Sequence, residues 1–64
     1  MDLFELRIRK RKTQWDLKVA TGIHQSKLSL IERGYVEPSI EEKHLIADAL
    51  DVSVDKINWP EQRY

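Results

Sequence analysis

Gly22, Gly34, Pro38 and Pro60 are the only glycines and prolines in this 64-residue chain. A fold rich in hairpins needs turn residues at a spacing of about 8–12 residues, and these four cannot supply them. The long intervals between them, with 34% charged residues, predict helices joined by short turns. There is no cysteine, so no disulfide can supplement the small core that so short a chain buries. The length allows one domain and leaves little room for a deep enzyme cleft.

The helix signals fall in order. Residues 2–10 predict a first helix with Leu3 and Leu6 one turn apart. Thr13, with Asp16 three residues on, marks the N-cap of a second helix over 14–20, its inner face carrying Leu17 and Ala20. Gly22 suits the left-handed conformation that ends a helix. A third helix over 25–33 turns Leu28 and Ile31 inward and stops at Gly34. Ser39 and Glu42 form a Ser-x-x-Glu capping box for a fourth helix reaching Leu50, with Ile40, Ile46, Ala47, Ala49 and Leu50 as its apolar stripe. Residues 52–57 predict a short fifth helix. Residues 1–58 are expected to form the domain and residues 59–64 an irregular tail.

The formal net charge is zero, from 11 Lys+Arg and 11 Asp+Glu, and a nucleic-acid-binding domain is normally basic. The zero is a cancellation. Residues 7–33 carry net +6, residues 34–64 net −4 and residues 1–6 net −2. Such asymmetry points one face of the molecule at an anion. The acidic start Met1-Asp2-Leu3-Phe4-Glu5 has no apolar signal region, and no apolar run approaches the roughly 20 residues of a membrane span. Absence of cysteine fits a reducing compartment. A cytoplasmic protein that does not engage membranes is expected.

Two short helices joined by a tight turn holding one glycine describe a helix-turn-helix. The matches are more specific than that outline. Thr13-Gln14, Leu17, Gly22-Ile23, Leu28-Ser29, Ile31-Glu32 and Gly34 resemble the Cro and phage-repressor family of helix-turn-helix proteins, often called the Xre family. Pro38-Ser39, Ile46-Ala47, Ala49-Leu50 and Val52-Ser53 continue the resemblance, which spans about residues 3–57. It implies an all-α, five-helix, lambda-repressor-like domain, with helices 2 and 3 as the helix-turn-helix and helix 25–33 in the DNA major groove.

The resemblance also implies roles. Gln14 would bind a phosphate and brace the start of the recognition helix. Gln25, Ser26, Lys27 and Leu30 would face base edges. A glutamine amide can bond adenine N6 and N7, lysine suits guanine O6/N7 or a phosphate, and an outward leucine can pack on a thymine methyl. Thr13, Ser29, Arg33, Arg9 and Lys12 join Gln14 as backbone contacts, although Ser29 equally suits a local backbone bond and the run Arg9–Lys12 a solvated helix end. Arg7 and Glu32 would form a structural ion pair between helices 1 and 3. Several positions depart from the family pattern. Lys12 and Lys43 stand where aliphatic residues are usual, Lys18 where alanine is, Asp51 where glycine is frequent, and His24 where a capping Ser or Thr is common.

A sequence-specific DNA-binding regulator, a repressor without an effector domain, is the expected function. Its target would be a near-palindromic double-stranded operator bound by a homodimer, with the interface sought in residues 34–64 around Trp59 and Tyr64. An antitoxin with a toxin partner, or a restriction-system controller, would share these features. A helical protein-interaction module is the alternative of another class, and the retained Gln14, Gln25, Lys27 and Arg33 speak against it. No catalytic constellation is legible, and two histidines 20 residues apart without cysteine make a poor metal site. No cofactor or metal is expected.

Overall fold

The computed structural model describes residues 1–59. They form four α-helices, α1 (Leu3–Arg9), α2 (Gln14–Thr21), α3 (Gln25–Glu32) and α4 (Ile40–Ala49), followed by a 3-10 turn at Val54–Lys56. Among the described residues there is no strand, only an isolated parallel bridge between Asp2 and Asn58. No helix among them is long and apolar enough to cross a membrane.

Each helix begins at a side chain that answers its free N–H groups. Asp2 accepts from the Glu5 amide at 2.7 Å and starts α1. Thr13 and Asp16 form a reciprocal capping box on α2, at 3.0 and 2.8 Å. The Thr13 backbone N–H and then its hydroxyl hold the Asp16 carboxyl below its ordinary range. Ser39 and Glu42 repeat the device on α4. At α3 the cap is His24, whose Nδ1 accepts from the Ser26 amide at 3.2 Å. A ring nitrogen thus stands where a hydroxyl is usual.

Three of the four α-helix ends follow one scheme. Gly34 at φ 82 closes α3, with Tyr35 N–H reaching Leu30 C=O and Gly34 N–H reaching Ile31 C=O. This paired bonding with a left-handed residue is the Schellman arrangement. The same bonds close α1 at Arg11 and α4 at Asp51, both at φ 57. The usual glycine at position 51 therefore has a physical reason: the backbone there is left-handed. A non-glycine residue in that region costs roughly 1–2 kcal/mol, of which the greater unfolded freedom of glycine takes back part. Asp51→Gly is expected to raise stability by up to about 1 kcal/mol. Gly22, at φ 76 with nothing within 4 Å of an added Cβ, should lose about 1 kcal/mol on change to alanine, from backbone strain alone. Thermal melts check both, and a lower Tm for Asp51→Gly would contradict the scheme.

The core is Leu3, Leu6, Leu17, Ile23, Leu28, Ile31, Ile46, Ala47, Leu50 and Ile57. Helix α2 packs on both α3 and α4. Val36, Ala49, Val52, Val54 and Trp59 close the edges. Residue 58 is pinned to the N-terminus, because the Asn58 amide donates to Met1 C=O at 2.9 Å.

Three expectations need correction. The fifth helix is only the three-residue 3-10 turn. Ser53 makes no side-chain cap bond, and Ile57 is already extended at φ −101, ψ 125 as the chain enters the Asn58 bridge. So few residues cannot offset the cost of nucleating an α-helix. Ala20 is exposed, and Thr21 lies on the inner face of α2 with Leu17 instead. Residues 14, 17, 18 and 21, spaced for one face, are the ones at least partly buried. Ile40 is 76% exposed. It is the first residue of α4, two turns before Ala47 on the same face, and it projects past the end of the core. The proposed tail falls mostly outside the described residues; of it, Trp59 is described and packs against the core.

Candidate nucleic-acid interface

Helix α3 presents two contrasting sides. Leu28 and Ile31 are fully buried. Gln25, Ser26, Leu30 and Arg33 are exposed, and Ser26, Leu30 and Arg33 follow the spacing of one helix face. The only carboxylate on α3, Glu32, has a side chain just 5% exposed. The outward side therefore offers amide, hydroxyl, aliphatic and guanidinium groups and no free acid. Eight residues make a helix about 12 Å long, close to the width of the B-DNA major groove.

A buried polar network fixes α3 against the rest of the domain. Arg7 Nε donates to Glu32 Oε2 at 2.6 Å and Nη2 to Oε1 at 3.2 Å. The remaining nitrogen, Nη1, donates to the Lys12 carbonyl at 2.8 Å. Gln14 Nε2 adds a bond to Glu32 Oε1 at 3.1 Å. The Glu32 carboxylate thus ties α3 to α1 and α2, and Arg7 extends the network to the α1–α2 turn. Gln14 braces the last residue of α3, not its start as the resemblance implies; the start is held by His24. The Phe4 ring lies 5.4 Å from the Arg7 guanidinium carbon and covers it.

A family model described as helix-turn-helix matches residues 3–57. The chain belongs to the helix-turn-helix family of Cro and phage-repressor type. No curated protein and no solved structure matches it.

The other groups singled out in this helix-turn-helix protein divide into those free to meet a ligand and those already engaged. Ser26 shares its hydroxyl with His24 Nδ1 at 2.8 Å, which leaves acceptor capacity on the oxygen. Ser29 is half-buried. Thr13 uses its hydroxyl oxygen to accept the α2 cap bond, which leaves its O–H to donate. Lys12 is exposed, and its carbonyl is held by Arg7. Arg9 stands 3.9 Å from Glu5 one turn away, both well exposed, a pair too loose and too wet to restrain it. Arg33 lies with its guanidinium carbon 5.7 Å from the Tyr35 ring.

Lys27 is the exception. Its Nζ sits 2.7 Å from Glu42 Oε2 on α4, on the flank of α3 beside Leu28. No spacing rule in the sequence pairs these two positions, because they meet only once α3 and α4 pack. Trp15 and Lys18 form a second unforeseen contact, the ammonium 4.4 Å from the indole centroid. Lys18 thereby sets its ammonium against the indole face, a favourable cation–π contact that explains how a lysine is accommodated there.

Two carboxylates of the acidic half lie away from this side. His44, Asp48 and Asp55 line a shallow depression between α4 and the 3-10 turn, to which no residue of α2 or α3 contributes.

Proposed function

We propose that this helix-turn-helix protein is a sequence-specific transcriptional repressor. It acts as a homodimer on a near-palindromic double-stranded operator, with α3 in the major groove. Gln25, Ser26 and Leu30 read base edges, and Lys27 contributes from the flank. Thr13, Gln14, Ser29, Arg33, Arg9 and Lys12 contact the phosphate backbone. The observation that carries this proposal is the acid-free outer side of α3, set on a buried face and braced through Glu32. Zero net charge does not oppose it. The cations concentrate in residues 7–33, and the excess of carboxylates lies in residues 34–64.

Selection from random double-stranded DNA tests this directly. A palindromic site is expected, with half-sites about one helical turn apart. Affinity for that site should fall steeply with salt, the logarithmic slope being roughly −0.9 per phosphate neutralised. No enriched sequence, or binding indifferent to salt, would remove the proposal.

A further inference from the structure

Lys27 is the third residue of α3, and Glu42 is the third residue of α4. The two Glu42 oxygens have different partners. Oε1 accepts from the Ser39 backbone amide at 2.9 Å, and Oε2 accepts from Lys27 Nζ at 2.7 Å. The Ser39 hydroxyl in turn accepts from the Glu42 amide at 3.1 Å. Lys27 first, and then the Ser39 backbone amide, holds the Glu42 carboxyl below its ordinary range. The carboxylate is therefore fixed in place by a helix cap, whereas the ammonium is the movable member, on a flexible four-carbon stem. The side chains are 43% exposed for Lys27 and 20% for Glu42, so the pair sits at the rim of the domain beside the outer side of α3.

We propose that Glu42 sets the DNA affinity of this domain by holding the Lys27 ammonium on α4 and so competing for it with a DNA phosphate. The proposal rests on DNA binding by α3. A surface ion pair of this exposure is weak, so the phosphate-rich duplex can draw the ammonium away, at the cost of the bond to Glu42. The domain thereby binds its site less tightly than its cation content allows. Glu42 touches no DNA itself. It acts through Lys27, as a positioning residue.

Glu42→Gln separates this role from capping, because glutamine at this position of a capping box still bonds the cap residue's amide. The substitution releases Lys27 and leaves α4 capped. Affinity for the selected operator is measured for the wild type, Glu42→Gln, Lys27→Gln and the double variant. Glu41→Gln serves as a control, since Glu41 is exposed on the same helix turn and its substitution changes net charge equally. Glu42→Gln is expected to bind about three-fold tighter per subunit at low salt, the size that an exposed ion pair allows. Glu41→Gln should gain less. In the Lys27→Gln background, Glu42→Gln should gain no more than Glu41→Gln does. Damage to the fold would weaken binding, so a gain cannot arise from it. Wild-type binding with an unchanged or weaker Glu42→Gln variant, or an equal gain without Lys27, overturns the role of Glu42 alone. Failure of the wild type to select any DNA overturns the DNA reading and this role together.

Discussion

Replacing Arg7 by methionine is expected to destabilise the domain by about 3–5 kcal/mol, the range for stranding one member of a buried ion pair. The side chains of Arg7 and Glu32 are only 8% and 5% exposed, so water cannot take over the charge that remains. The variant would leave Glu32 with Gln14 as its one side-chain partner among the described residues, and the Lys12 carbonyl would lose the Arg7 donor as well. For a domain of this size each kcal/mol moves Tm by roughly 4–8 °C, so a drop of at least about 12 °C is expected. Arg9→Met removes a cation two residues along the same helix, from an exposed pair at 3.9 Å. It should change stability by no more than about 0.5 kcal/mol. Thermal melts of the two variants decide the matter, and equal Tm values would mean that the network contributes nothing. A third variant separates the buried charge from lost packing. Arg7→Met combined with Glu32→Leu removes both charges, and replacing a buried pair by apolar residues is often neutral. Substantial recovery is therefore expected. A double variant as unstable as Arg7→Met alone would point to the Lys12 carbonyl bond and the packing of the guanidinium on Phe4 as the main contributions.

The helices were legible because their ends are written locally. Thr13 with Asp16, Ser39 with Glu42, Gly22 and Gly34 each specify a terminus within four residues of chain, and all act where the sequence places them. The inner faces were legible where two apolar residues fall on one turn, as at Leu28 and Ile31. Ile40 and Ala20 misled because periodicity tells which side of a helix is apolar, but not how far the core extends along it. The fifth helix failed because Ser53, placed as its cap, makes no side-chain cap bond, and the chain is already extended at Ile57 as it enters the pairing of Asn58 with Asp2. That pairing is made between residues more than 50 positions apart, and no local signal announces it. The candidate site divides in the same way. The exposed row on α3 follows from helix periodicity, and the family resemblance supplied the Arg7–Glu32 pair. The Lys27–Glu42 contact and the Gln14 bond to Glu32 required the packed structure, since each joins helices whose relative placement only the core determines.

Gln25→Ala is expected to lower affinity for the selected operator by about ten-fold or more per subunit while leaving binding to unrelated DNA unchanged. Gln25 is the first residue of α3 and is exposed, and its side-chain amide bonds no other group among the described residues. Stability should stay within about 0.5 kcal/mol of the wild type. An amide bonded to both adenine N6 and N7 is worth about 1–3 kcal/mol of discrimination, and about 1.4 kcal/mol is a factor of ten. The substitution removes no charge, so the salt dependence should keep its slope. Arg33→Gln should do the reverse. It should weaken binding to all sequences alike and reduce the slope by about one per subunit, as loss of a phosphate contact requires. The two variants together distinguish a helix that reads bases from one that only rests on the backbone. If Gln25→Ala keeps the full preference of the wild type for its selected site, then Gln25 reads no base. Recognition would then fall to Ser26, Leu30 and the shape of the DNA, where deformability alone can discriminate between sequences.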